Sequence, residues 1–416
     1  MARLLSSPIP PSSDPFYTAP PNLESSPPGT ILRQRPAPGN LNSIIHNSSS
    51  AYNILYRTTD SNYQPSWAVT TLILPLTNLT HYTNHSTSSL LSLQVPYNSA
   101  DVDASPSYAL YASLSTPSGA IPSTSDDIAT ALGNGWYVSV PDFEGPFASF
   151  GFGVQEGHAT LDSVRAVLSS GLVSDAEKKK KKKKSKIAMW GYSGGSIASE
   201  WAAELQEQYA PELVFSGLAL GGMVPNVTSA LDNITASPYA GLIPELILGM
   251  TSQDPEARDY LVSRLHTTGT YNASYFLSAL EMDIGEAFVA FAMHDIYAYF
   301  LGGRSDITSP ASPFKAILDR QGYQGYHGVP RMPVFAYKAI HDEFTDVQDS
   351  DVLVERWCGI GVDVLYQRNE VGGHIAEITN GRARALDWLK GVFDGNDARN
   401  ACVVENVMVN ITSSLA

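Results

Sequence analysis

The segment Ile187-Ala188-Met189-Trp190-Gly191-Tyr192-Ser193-Gly194-Gly195 constrains this chain more than any other. Four apolar residues lead into a serine flanked by glycines at G-x-S-x-G spacing, and a helical pattern follows from Ile197 to Leu205. A short apolar strand that turns directly into a helix belongs to a sheet covered by helices. The spacing is that of a nucleophile elbow, a tight turn that strains the serine backbone and exposes its hydroxyl. Gly191 and Gly195 let strand and helix approach without clashing Cβ atoms. The helix N-terminus lies under Ser193, where its dipole and the Gly194 N–H can stabilise an oxyanion. A serine idling in a βα turn is the plainer reading, and the strand–turn–helix context argues against it.

The rest of the chain agrees with such a sheet. Residues 1–40 are rich in proline and serine, show no period, and read as an extended N-terminal arm laid over a core. Runs 51–58 and 67–74, separated by Asp60, Ser61 and Asn62, predict an antiparallel pair, and 90–97 a further strand. Predicted strands at 135–141, 187–192, 213–220, 333–340 and 362–366 then alternate with helical patterns at 161–168, 196–208, 347–357 and 376–393. Strands alternating with helices imply a mostly parallel sheet with helices on both faces. Between 223 and 310 the alternation gives way to helical patterns at 242–249, 255–265, 275–281 and 285–300, the signature of an inserted cap or lid. The expected organisation is an arm (1–40), a core (41–222 and 311–416) and a helical insertion (223–310). The lysine run at 178–184 reads as a solvated loop.

A serine hydroxyl needs a histidine base, and the base an orienting acid. Five histidines follow Ser193. His266 and His294 fall in the insertion, His327 in a Gly/Tyr loop, and His341 beside Asp342. His374, in Gly372-Gly373-His374, comes after a predicted strand and just before a helix, in a loop free to bend toward the sheet edge, and is the expected base. Asp342, at the end of the 333–340 strand where catalytic groups gather in open α/β sheets, is the expected acid. Glu343 and Asp346 compete for that role. For the second oxyanion donor, position suggests the N–H of Asp142, after the 135–141 strand, although no Gly-rich HGGG loop stands there.

Composition narrows the partners and the compartment. With 26 basic and 41 acidic residues, a formal net charge of −15, the chain repels phosphate backbones, so nucleic acid is not an expected partner. It has no apolar run of 18 residues, so no transmembrane helix is expected. HExxH and CxxC are missing, and no metal or cofactor is expected. Seven N-x-S/T sequons, at Asn47, Asn78, Asn84, Asn226, Asn233, Asn272 and Asn410, favour a secreted glycoprotein. The residues after Met1 lack an apolar signal core, and the expectation is that a signal peptide was removed or is missing from this sequence. In an oxidising compartment Cys358 and Cys402 would pair and clamp the C-terminal tail to the core.

Several stretches together carry a family resemblance: Phe16-Tyr17-Thr18-Ala19-Pro20, Val140-Pro141-Asp142-Phe143-Glu144-Gly145, Trp190-Gly191-Tyr192-Ser193-Gly194-Gly195, Tyr209-Ala210-Pro211-Glu212-Leu213 and the Gly-Gly-His loop. The chain resembles the fungal secretory lipases of the Candida antarctica lipase A type over nearly its whole length. That resemblance implies an α/β-hydrolase fold with a helical cap and hydrolysis of acylglycerols or related esters. It implies a triad of Ser193, Asp342 and His374, with oxyanion donors at Asp142 and Gly194. The lysine run departs from the family pattern, as does the lack of cysteines for a further disulfide. The same triad would serve an esterase for short-chain or acetylated small molecules, and an inactive lipid-binding member is the alternative of a different class.

Overall fold

The computed structural model describes residues 7–76, 88–111, 121–173, 185–396 and 401–411. Among the described residues, ten strands form one sheet: β1 (Ile31–Pro36), β2 (Ser48–Thr59), β3 (Pro65–Pro75), β4 (Ser89–Gln94), β5 (Tyr137–Pro141), β6 (Lys186–Tyr192), β7 (Gly217–Gly221), β8 (Val334–Ala339), β9 (Val364–Asn369) and β10 (Cys402–Val407). Their order is β1-β2-β3-β5-β4-β6-β7-β8-β9-β10. The first three strands and the β3–β5 pair are antiparallel, and every pair from β5–β4 to β9–β10 is parallel. The principal helices are α1 (Ile121–Gly133), α2 (Gly153–Ser169), α3 (Gly194–Tyr209), α4 (Val227–Ile234), α5 (Leu242–Gly249), α6 (Pro255–Arg264), α7 (Ile284–Phe291), α8 (Pro313–Gln321), α9 (Val347–Gly359) and α10 (His374–Asp394).

Alternation along the strands sets the layers. On β6, Ile187 and Met189 join the core beneath α2 and α3, while Ala188 and Trp190 face the opposite core with α1 and α10. On β8, Val334 and Ala336 take the first side, and Phe335 and Tyr337 the second. Both faces are buried, so these strands read as near-continuous apolar runs. A slip of one residue would exchange the two sets, at roughly 1.5–3 kcal/mol for each large side chain displaced into water.

Chain order puts a crevice at one place. From β4 the chain moves to β5 on one side, then crosses back to β6 on the other. The loops after β4 and β6 therefore diverge at the carboxyl ends of adjacent strands, the position where open α/β sheets bind ligands.

Four features depart from the sequence expectations. Residues 31–36, assigned to the arm, form β1, antiparallel to β2; its polar alternation and terminal proline are those of an edge strand. Residues 402–407, expected only as a tail, form β10 beside β9, and Cys402 at its start is bonded to Cys358 near the end of α9, with Cα atoms 5.6 Å apart. This bond closes a separation of 44 residues, which in the chain-entropy description contributes about 3–4 kcal/mol. The pattern at 285–300 is not one helix: α7 ends at Phe291, Met293 adopts φ 63°, and the Asp295 carboxylate caps a new 3-10 turn at Ile296–Tyr299. The helical stretch also holds α4 and continues through α8. The lysine run at 178–184 and the sequons at Asn78 and Asn84 lie outside the described residues. Of the other sequons, Asn233 and Asn410 are exposed, whereas the Asn47 amide donates to Ala129 O at 2.9 Å. No helix among the described residues is long and apolar enough to cross a membrane.

Candidate active site

Ser193 joins β6 to α3 with φ 53° and ψ −123°. A non-glycine residue in such a region costs on the order of 1–3 kcal/mol and persists only when its surroundings hold it. Here the Ser193 N–H donates to Gly221 O of β7 at 3.0 Å, and Ser193 O accepts from Ser196 N at 2.8 Å. A Cβ on Gly191 would lie 2.0 Å from Gly195 O, and one on Gly195 would lie 2.0 Å from Gln94 O of β4. Glycine at both positions is therefore a steric requirement. As the first residue of α3, Gly194 has an N–H outside the helix's own ladder.

The strain aims the hydroxyl at the expected base. Ser193 Oγ lies 2.8 Å from His374 Nε2, and His374 Nδ1 lies 2.8 Å from Asp342 Oδ2. All three side chains are buried or nearly so, with Ser193 8% and His374 1% exposed. His374 is itself the first residue of α10. Three contacts fix it. The Tyr192 hydroxyl donates to His374 O, the His374 N–H donates to a Glu343 carboxylate oxygen, and the Phe344 ring stacks on the imidazole at 4.3 Å and 8°.

The competition among the acids resolves by role. Asp342 takes the side chain of His374, Glu343 caps the helix that carries it, and Asp346 caps α9 through Gln348 N at 2.9 Å. Asp342 accepts four hydrogen bonds: Phe344 N and Thr345 N on Oδ1, both at 2.9 Å, and His374 Nδ1 and Lys338 Nζ on Oδ2, both at 2.8 Å. Burial pushes this carboxyl up, but His374 and Lys338 outweigh it and hold the group well below the usual carboxylate range. Two other candidate histidines lie elsewhere: His327 packs on Trp201 beside Glu204, and His294 contacts the Tyr299 hydroxyl within the insertion.

Asp142 does not face the elbow. Its N–H donates to Val69 O of β3 at 2.8 Å, and its carboxyl accepts from Ser107 N and Ser107 Oγ at 2.8 and 2.6 Å. Burial pushes that carboxyl up to about 7 against those two hydrogen bonds. The expectation failed because β4 lies between β5 and β6, so the loop beside the nucleophile follows β4 rather than β5. That loop brings Asn98, at φ 48° and buried, against the elbow: a Cβ on Gly194 would lie 1.9 Å from Asn98 Oδ1. The insertion grips the same loop. Ser99 Oγ donates to Met282 O at 2.8 Å, and Ala100 N donates to Glu245 Oε2 of α5 at 2.6 Å. Across the site, Tyr239 of the insertion packs on Phe344 at 4.7 Å. Lys338 and Asn98 were missed from sequence. Lys338 did leave a signal, as a lone charge in the apolar run Val334-Phe335-Ala336-Tyr337-Lys338-Ala339. Asn98 left none.

The sequence model of the secretory lipase family matches residues 116–401. Trichothecene C-3 esterase of Fusarium sporotrichioides is 49% identical over 98% of this chain and 90% of its own. The chain belongs to the secretory lipase family. Lipase A of Arthroderma benhamiae is 36% identical over 97% of this chain and 84% of its own. The crystal structure of Candida antarctica lipase A superposes with a TM-score of 0.84 at 25% identity, covering 97% of this chain and 91% of that one. This secretory lipase is accordingly a carboxylic-ester hydrolase with an α/β-hydrolase fold.

Proposed function

We propose that this family member hydrolyses acylglycerols or related carboxylic esters outside the cell through an acyl-enzyme on Ser193. The observation that carries the reading is the unbroken run Ser193 Oγ–His374 Nε2 and His374 Nδ1–Asp342 Oδ2, both at 2.8 Å. His374 Nε2 takes the Ser193 proton as Oγ attacks the ester carbonyl. The oxyanion is received by the Gly194 N–H at the start of α3, against which Asn98 packs. The imidazolium, steadied by Asp342, then protonates the departing alcohol. In the second half, His374 takes a proton from water, the hydroxide attacks the acyl carbon, and Ser193 leaves with the proton returned to Oγ.

The segment 223–310 acts as a lid in this reading. Tyr239 packs on Phe344, the ring that stacks on His374, Met282 and Glu245 hold the loop after β4, and Ser193 is buried. A lipid or ester substrate therefore enters after the lid shifts, as gated hydrolases require. A second reading is hydrolysis of short-chain or acetylated small molecules. It is favoured by the 49% identity to a trichothecene C-3 esterase against 36% to a lipase.

The test is a chain-length profile of wild type and Ser193→Ala on p-nitrophenyl esters from acetate to palmitate, on emulsified triacylglycerol, and on an acetylated polycyclic alcohol. Serine-dependent turnover of long chains and emulsion supports the lipase. Turnover confined to acetyl esters moves the substrate to the small-molecule reading. Full activity in Ser193→Ala removes both.

A further inference from the structure

Lys338 lies on β8 with its side chain fully buried, an uncommon place for lysine unless it is paired. Its ammonium meets three oxygens: Asp342 Oδ2 at 2.8 Å, Met223 O at 3.0 Å and Thr345 Oγ1. Three acceptors match the three N–H bonds of an ammonium. Asp342 in turn has all four of its lone-pair positions filled, two by backbone N–H groups, one by His374 and one by Lys338. The cation and the catalytic base therefore share a single carboxylate oxygen. The triad mechanism above does not use this lysine.

We propose that Lys338 is a positioning residue of the triad: it fixes the Asp342 carboxylate against His374, and its charge sets the pH range in which the catalytic base works. The inference rests on the triad reading. A carboxylate alone stabilises the imidazolium, and a cation on the same oxygen offsets part of that field. Lys338 thus opposes the pull of Asp342 on an imidazolium at His374. Burial holds the Lys338 ammonium below its usual range; Asp342 opposes that tendency most strongly, with Asp349 of α9 and Asp346 at its N-cap adding to the opposition.

The other groups facing the pair are engaged elsewhere. Glu343 holds the His374 N–H, and Glu377 is held by Asn369 and Arg384. Tyr192 donates to His374 O. None of these contacts involves Lys338.

The test is the pH dependence of kcat/KM in Lys338→Met and Lys338→Gln. Neither substitution carries charge, and glutamine keeps hydrogen-bond donors. In Lys338→Met, Thr345 Oγ1 still donates to Met223 O at 3.1 Å, so that carbonyl keeps a partner. Removing a unit charge a few ångström away moves the acid limb of the profile upward by about one pH unit or more, from Coulomb attraction at an effective dielectric near 20. The plateau stays within about tenfold, because nucleophile, base and oxyanion donors remain. Thr345→Val, which keeps the charge, leaves the limb in place. An acid limb unmoved in either folded lysine variant overturns the proposal. The two readings fail separately: an active Ser193→Ala removes the triad, whereas an inactive Ser193→Ala with unmoved lysine variants keeps the triad and removes Lys338.

Discussion

The buried carboxyls that flank the candidate active site are pushed in opposite directions by their surroundings. Beyond β8, Asp342 is buried with Lys338 and His374 on one oxygen and lies well below the usual carboxylate range despite its burial. Behind the loop after β4, Glu144, Glu156 and Glu245 are as deeply buried. Burial pushes Glu156 up to about 8, eased by the Gly151 N–H, and it raises Glu144 and Glu245 well above the usual carboxylate range. Carboxyl neighbours add to the rise in those two: Glu156 beside Glu144, and Asp101 beside Glu245. Burial alone neutralises a carboxyl, whereas a matched cation keeps it ionised. Asp342 meets the proposed base, whereas Glu245 holds the loop after β4 and Glu156 holds Gly151.

The comparison breaks or sharpens through mutation. Ser193→Ala should lower kcat by about 10^5–10^6-fold, since a triad acts as a unit; steady-state kinetics with tight controls for contaminating hydrolase check it. Asp342→Asn keeps the shape but loses the charge that fixes the imidazole tautomer, and kcat should fall by about 10^4-fold with KM little changed. A loss of only a few-fold would mean that the Asp342 charge is not needed for chemistry. On the oxyanion side, Asn98→Gly preserves the positive φ and removes the side chain packed against Gly194, so kcat should fall, by at most the about 10^2-fold that loss of one oxyanion donor costs. An unchanged kcat would mean that Asn98 does not support the Gly194 N–H.

The smallest effect belongs to the carboxyls that burial raises. Glu156 keeps its proton in the folded state up to about pH 8, while the unfolded chain releases it near about 4.3. The folded state binds more protons across that window, so this group's stabilising contribution is full below it and is lost as pH rises. Glu156→Gln has no such proton and should lose less stability between about pH 5 and about pH 9, by up to about 1.4 kcal/mol for each pH unit of the window at most. Calorimetric Tm values at those two pH values measure it, with kcat nearly unchanged. Parallel pH–stability curves would show that Glu156 is ionised and the contrast false.

What the sequence disclosed follows the same division. The three residues proposed as a triad, which the structure brings within hydrogen-bond distance, sit at strand ends marked by local signals: Gly191 and Gly195 around Ser193, the Gly-Gly turn before His374, and an acidic loop after an apolar run. The sheet was legible through alternation, and the β2–β3 pair lies where predicted. The oxyanion loop was not legible, because it depends on strand order. Sequence neighbours suggested Asp142 after β5, whereas Asn98 after β4 is the spatial neighbour of Gly194. β1 and β10 escaped notice because edge strands are exposed on one side and lack a full apolar run. The predicted helix at 285–300 divides because Met293 turns the chain at positive φ, which composition does not foretell.

The central claim is that Ser193 is the nucleophile of an ester hydrolase driven by His374 and Asp342. Labelling the purified protein with a fluorophosphonate and mapping the adduct by peptide mass spectrometry tests it most directly. The account predicts one equivalent of adduct on Ser193, formed in step with loss of esterase activity, absent in Ser193→Ala and strongly slowed in His374→Ala. Full inactivation with the adduct on another residue, or an active enzyme that leaves Ser193 unmodified, would contradict it.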